Sequence, residues 1–284
     1  MPQTADEVIA AQRQDWNRVA SGWDKWDALF QQNLTVINHR LVADARLRPG
    51  MRVLDLGSGT GYPALLAGQV VGPSGSVMGL DLAESMLSVA TRKAAELGLR
   101  HVNFRTGDVS TLPFEDGAFD AVISRFCLMF LPDIPKAAKE IARVLAPGGY
   151  LAAAVWASPD KNPSIRIPMD ILKTLVTLPA PDPQAPGIFR LAKAGDLRSM
   201  LAQAGFAPTT DEEFEADTLY ASAEEYMGSL MDIAAPLQNL FKTLTTAQRA
   251  EAERGILKAA AGYRRGQTIA LPISVRLVGG RKPL

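Results

Sequence analysis

The sequence predicts an α/β fold: a doubly wound, mostly parallel seven-stranded sheet with helical lid and cap insertions. Three observations carry that expectation. Residues 51–156 alternate apolar runs of strand length with segments of helical periodicity, as β-α-β crossovers require. The first apolar run stops at a glycine cluster, Gly57-Ser58-Gly59-Thr60-Gly61, which reads as strand, tight turn and helix. Near the end of the chain, Ile269, Leu271, Ile273, Val275 and Leu277 return to strict alternation, so the chain rejoins the sheet before Gly279-Gly280.

The elements follow in order. The run 51–56 is strand one, and Pro63 suits the first turn of the next helix, where its missing N–H removes no intrahelical bond. Strand two, 76–80, ends at Asp81. Met86, Leu87, Ala90, Ala94 and Leu97 then keep helical spacing up to Gly98. Strands three and four are 101–105 and 119–124, a helix covers 135–145, Pro147-Gly148-Gly149 ends it, and strand five is 150–156. Segment 158–191 carries Pro159, Pro163, Pro168, Pro179, Pro181, Pro183 and Pro186, which leaves room for one short helix over 169–176 within a lid. A helix over 194–204 and a strand over 207–217 follow. Ser222-x-x-Glu225 and Thr245-x-x-Gln248 have capping-box spacing, the second opening a helix to about Ala261. The expected organisation is 1–44 covering helices, 45–157 core, 158–192 lid, and 193–284 the rest of the same sheet with 222–266 as a helical cap insertion.

Composition narrows the function. The 284 residues include 30 Lys+Arg and 30 Asp+Glu, for zero formal net charge, and 47% are hydrophobic. A large core is affordable, and the broad positive field that nonspecific nucleic-acid binding needs is absent. Cys127 is the only cysteine, and His39 and His101 are the only histidines, so an internal disulfide, a cysteine-based zinc cluster and a three-histidine metal site are all excluded. No metal is expected. The first residues lack the basic start and apolar run of a signal peptide, and no apolar run approaches the roughly 20 residues that span a bilayer. The expectation is a cytoplasmic protein.

Functional residues should follow strands, because open α/β sheets bind ligands at their carboxyl edge. Asp55 precedes the glycines, Asp81 ends strand two, and Asp108 follows strand three. Asp81 lies 24 positions after Gly57, near the roughly 20-residue offset at which a carboxylate accepts ribose hydroxyls. Asp108 suits an exocyclic amine, and Leu82, Met86 and Val109 offer apolar surface to a purine. The bland reading is that these acids cap turns and that Met86 is core. A nicotinamide fingerprint would want glycine where Tyr62 stands.

Val53 to Gly61, Asp81, Gly107-Asp108, Phe119-Asp120-Ala121-Val122 and Arg143 to Gly149 occur in an order that resembles class I S-adenosylmethionine-dependent methyltransferases, nearest the ubiquinone/menaquinone-biosynthesis-like small-molecule group. The resemblance covers about residues 45–157 and implies a Rossmann-like sheet with S-adenosyl-L-methionine as cofactor. It implies that the backbone at Gly57 and Gly59 approaches the methionine moiety and that Asp55 assists its ammonium group. It further implies Asp81 on the ribose, Asp108 on adenine N6, Val109 against the ring, and the carbonyl of Ser124 or Arg125 on the ammonium. The stretch 16–26 resembles the family's cofactor-covering helix, in which Trp16 and Trp23 either close over the sulfonium or pack the helix onto the core.

Methyl transfer is an in-line displacement in which positioning supplies much of the acceleration, so a catalytic base is optional and none is assigned. Tyr62, Asp133 and His39 are the acceptor candidates, with Arg125 also near the expected methyl group; the competing reading of each is structural. Cys127 is expected to be a small buried hydrophobe, and a single cysteine argues against arsenite-type methyl transfer. Apolar residues of the lid and cap suggest a small, partly hydrophobic acceptor. Two other readings stay open: a cofactor-binding protein of this fold that does not methylate, and a nicotinamide-dependent oxidoreductase. The sequence leaves the acceptor and the oligomeric state undetermined.

Overall fold

Helices α1 (Ala5–Lys25) and α2 (Asp27–Asp44) open the fold in the computed structural model, which describes residues 4–178, 182 and 184–284. A reciprocal capping box starts α1: Thr4 Oγ1 accepts from the Glu7 amide, and Glu7 Oε2 accepts from the Thr4 amide at 2.8 Å. The core alternation follows as β1 (Arg52–Leu56), α3 (Ala64–Val71), β2 (Ser76–Asp81), α4 (Glu84–Glu96), β3 (Val102–Thr106), β4 (Phe119–Arg125), α5 (Ile134–Val144) and β5 (Leu145–Trp156). The remainder comprises α6 (Pro163–Leu175), α7 (Asp196–Gln203), β6 (Ala207–Tyr220), α8 (Ala223–Ile233), α9 (Ala235–Thr243), α10 (Thr246–Ala261), β7 (Arg264–Arg265) and β8 (Thr268–Arg281).

The strands run β3-β2-β1-β4-β5-β8-β6, parallel from β3 to β5, with β8 antiparallel to both β5 and β6. Strand order reverses between β1 and β4, which places a crevice at their carboxyl ends. Seven strands form this path and the two-residue β7 pairs with β8, so the sheet has eight strands where seven were expected. Such a short hairpin arm carries no periodicity that a sequence pattern can register. Val53, Leu54, Leu56, Ala121, Val122 and Ile123 are wholly buried, as central parallel strands sandwiched between helices must be.

Several boundaries differ from expectation, each for a packing reason. Helix α5 ends at Val144, and Pro147-Gly148-Gly149 lies inside β5, where the Gly148 amide donates to the Lys282 carbonyl at 3.0 Å. Likewise Gly279 and Gly280 lie inside β8, because a Cβ at 280 would stand 2.9 Å from the Phe206 Cβ. Residues 270, 274 and 276 of β8 are buried together with the alternating apolar set, so this strand has no solvent face. Helix α6 begins at Pro163 and retains Pro168 inside it, longer than the short 169–176 helix expected. Pro179, Pro181 and Pro183 lie outside the described residues. Pro63 occupies the N-cap of α3, one position before the expected first turn. Ser222 caps α8 by accepting from the Glu225 amide, but Glu225 answers the Ala221 amide, so of the two expected boxes the Thr245–Gln248 one is reciprocal and the Ser222–Glu225 one is not.

One buried side chain ties the start of α6 to the sheet. Asn162, with no exposed surface, donates to the carbonyls of Ala157, Ser158 and Ser274 at 3.2, 3.0 and 2.9 Å and accepts from the Ser274 amide at 2.9 Å. Among the described residues no helix is long and apolar enough to cross a membrane. Asn162→Ala strands backbone groups away from water and is expected to lower the unfolding free energy by about 2–4 kcal/mol in urea titrations. A loss below about 1 kcal/mol would show that α6 is anchored elsewhere.

Candidate functional site

The crevice is built around the turn from β1 into α3. Gly57, Gly59 and Gly61 have φ of +69°, +54° and +110°, conformations that side chains other than glycine rarely adopt. Their surroundings differ. A Cβ at Gly57 would stand 2.4 Å from the Cys127 Cβ and 2.6 Å from its Sγ, whereas one at Gly59 meets nothing within 4 Å. Cys127 therefore stands where a side chain at Gly57 would project, whereas the corresponding space at Gly59 is open. Beneath the turn, Asp55 is fully buried; its Oδ2 accepts from Ser58 Oγ at 2.8 Å and from the Ala64 amide at 3.1 Å. Its Oδ1 is buried without a partner, and burial pushes the carboxyl up to about 7.

Asp81 closes the next side. Its two oxygens accept from the Gly59 amide at 2.8 Å and the Ala83 amide at 2.9 Å, and burial raises its pKa. Asp108 accepts from the Ser110 amide at 2.9 Å, and Val109 beside it is buried in the core. The three acids share one neighbourhood: burial pushes the Cys127 thiol up, and the charges of Asp81, Asp55 and Asp108 push it further the same way. Ser124 is fully buried at the end of β4 and donates to the Leu56 carbonyl at 3.1 Å.

Helix α1 roofs this crevice from bank to bank. Gln12 donates to the Phe130 carbonyl at 2.8 Å and Trp16 meets the Phe130 ring edge-on at 5.6 Å, on the side of β4. On the other side Val19 and Ala20 pack with Ala83 and Met86, flanked by Trp16 and Trp23, while Leu82 between Asp81 and Ala83 is partly exposed. Met86 is thus core against the roof. Trp23 lies 4.8 Å from Phe30, and its buried indole N–H has no partner.

A second cluster lies between the turn and α2. The partly buried Arg125 donates to Asn38 Oδ1 at 2.7 Å, and burial lowers its pKa to about 10 against the opposing pull of Asp55, Asp27 and Tyr62. Burial raises the half-buried Tyr62 hydroxyl, with Asp27 adding to that and Arg125 opposing it. Lys93, at 9% side-chain exposure, pairs with Asp27 at 2.6 Å.

Two acceptor candidates stand apart. His39 is exposed on α2; its neighbour Asn38 is the residue turned toward Arg125, because successive helical positions diverge by roughly 100°. Asp133 is exposed and caps α5, accepting from the Lys136 amide at 2.9 Å, the role that a capping residue supplies without any substrate. The sequence reading missed Asn38 as a partner. A polar residue among the apolar positions Leu34, Ile37 and Leu41 was the available signal.

Residues 54–153 match the model of a family described as a methyltransferase domain. A ubiquinone/menaquinone biosynthesis C-methyltransferase of Vibrio cholerae, UbiE, is 31% identical over 216 residues, spanning 72% of this chain and 83% of that protein. The chain belongs to the class I S-adenosylmethionine-dependent methyltransferases. An arsenite methyltransferase of Halobacterium salinarum is 34% identical over 58% of this chain but only 39% of that protein. The crystal structure of YcgJ from Bacillus subtilis shares the fold, with a TM-score of 0.57 and 21% identity over 88% of this chain and 99% of the other. S-adenosylmethionine is the cofactor of this methyltransferase family, and this chain's residues fit it. Among the described residues the buried Asp55 Oδ1 has no partner, which leaves acceptor capacity for an N–H donor or a water, and a Cβ at Gly59 would meet nothing within 4 Å.

Gly57→Ala, which meets both a collision and a disfavoured φ, is expected to destabilise the methyltransferase by about 2–4 kcal/mol, and Gly59→Ala, which meets only the φ, by about 1 kcal/mol. Denaturant unfolding of the two variants checks the ordering. The raised Asp55 pKa sets a second expectation: between the ordinary carboxylate range and about 7 the folded state holds a proton that the unfolded state has released. Stability therefore falls as pH rises through that window. Unfolding measured at pH 5 and pH 8 should show a smaller difference for Asp55→Asn than for the parent chain; an unchanged difference assigns the slope to other groups.

Proposed function

We propose that this methyltransferase moves the methyl group of S-adenosylmethionine to a small, partly hydrophobic acceptor enclosed beneath α1. The observation that carries the reading is that Asp55 and Asp81 both bond to the glycine turn, through Ser58 and the Gly59 amide, at the carboxyl ends of β1 and β2, with Asp108 just after β3. In this reading Asp81 accepts the ribose hydroxyls while its backbone bonds hold it rigid, and Asp108 accepts from the adenine amine beside Val109. The backbone at Gly57 and Gly59, with Asp55 and the carbonyl of Ser124 or Arg125, sets the methionine end. Trp16 and Trp23 exclude water from above.

The cofactor supplies an electrophilic methyl on a sulfonium: the acceptor's electron pair forms the new bond, the sulfur–methyl pair stays on S-adenosylhomocysteine, and any released proton goes to solvent. The chain's own contribution is alignment and desolvation, which need no dedicated base. Relatives named for quinone biosynthesis and for arsenite both support an acceptor of small-molecule size. Arsenite fits poorly, since Cys127 is the chain's one thiol and burial holds it protonated.

Calorimetric titration with S-adenosylmethionine and, in parallel, NADH tests the reading. Saturable binding of the first and none of the second is expected, and folded protein that binds no S-adenosylmethionine overturns it. Asp81→Ala should weaken cofactor binding by roughly 10–100-fold, the worth of one or two charge-assisted hydrogen bonds.

A further inference from the structure

The Arg125 cluster has a charge imbalance that the cofactor reading leaves unused. Arg125 ends β4, on the crevice side where strand order reverses, and its one side-chain hydrogen bond runs to Asn38. Asn38 is itself 1% exposed and held on α2. Among the described residues the guanidinium forms no ion pair. Neither of the acids that act on it pairs with it: Asp27 pairs with Lys93 at 2.6 Å, and Asp55, whose Oδ2 accepts from Ser58 and Ala64, forms no salt bridge with the guanidinium. A guanidinium presents five donors in a planar fork, so one bond to Asn38 leaves most of the fork uncommitted at the carboxyl end of β4.

The next residue along the chain is aromatic. Phe126, which turns away from β4 with a φ of +57°, stacks on Trp156 at the end of β5 with ring centroids 4.3 Å apart and planes 2° apart. Tyr62 also lies within reach of these charges, Asp27 raising and Arg125 lowering the pKa of its hydroxyl. A fixed, partly desolvated fork next to aromatic faces matches a flat molecule bearing a carboxylate or comparable anionic oxygen.

We propose that Arg125, braced by Asn38, determines acceptor specificity by engaging an anionic oxygen of an aromatic acceptor and so orienting the methyl-accepting atom toward the glycine turn. The proposal rests on the methyltransferase reading above and adds the acceptor's chemical class. The cofactor contact expected at residue 125 is its backbone carbonyl, which a side-chain substitution keeps. The two roles are therefore separable.

The test uses the full chain saturated with S-adenosylhomocysteine, with benzoate and its uncharged isostere benzamide as probes, followed by tryptophan fluorescence. Benzoate is expected to bind about tenfold more tightly than benzamide, as a charge-assisted bidentate contact predicts. Arg125→Gln should remove the preference, Arg125→Lys should keep part of it, and S-adenosylhomocysteine affinity measured by calorimetry should stay within about threefold for both. Where Arg125→Gln does not fold, Asn38→Ala replaces it and should weaken benzoate while sparing benzamide. Equal or undetectable binding of the two probes by the parent chain, with S-adenosylhomocysteine still bound, overturns the proposal and leaves the cofactor reading standing. Failure of the parent chain to bind S-adenosylhomocysteine overturns both.

Discussion

The site depends on one constraint, the reversal of the chain at the end of β1. Within a few residues a fully buried parallel strand must become a helix on the sheet's face, and the buried Asp55 carboxylate makes this possible by bonding Ser58 and the first amide of α3. The same turn is tied sideways. The amides of Gly57 and Ser58 both donate to the Leu80 carbonyl, and that of Gly59 donates to Asp81, so β1 and β2 present their functional ends as one rigid unit. A buried carboxyl with a free oxygen is costly to stability. Its retention in the turn is understandable where a ligand group completes its hydrogen bonding.

Around this rigid floor the cover is attached differently. Helix α1 is fastened at its rims by exposed contacts such as Arg92 to Asp24 and Lys25 to Asp232, each worth about 0–1 kcal/mol in water. Its apolar anchors, Val19, Ala20, Trp16 and Trp23, are few and lie directly over the crevice. A small set of separable contacts holds the roof, while the floor is set by backbone bonds between buried strands. The bonds that set the floor do not run through α1, a division that suits an enclosed reaction whose ligands must enter and leave.

Much of the scaffold was legible because its signals are local. The apolar runs 53–56 and 119–123 announced buried strands, the glycines announced the turn, and the acids at 55, 81 and 108 fell at strand ends by simple counting. Where legibility failed, a distant partner had overridden a local rule. Pro168 reads as a helix breaker yet lies inside α6, where it and Ile167 are buried. Gly279 and Gly280 read as a terminator yet continue β8, because β6 and Phe206 press on that face. The β7 arm is too short to have a period at all.

The site divides along the same line. Local sequence determined which acids and glycines reach the carboxyl edge of the sheet, since strand length and turn chemistry act over a few neighbouring residues. Tertiary structure alone decided that Cys127 fills the space beside Gly57 and that Asn38 and not His39 meets Arg125. Those outcomes join residues up to 87 positions apart. They are set by how α2 and the segment after β4 dock on the sheet, a matter of shape and burial that no spacing along the chain encodes.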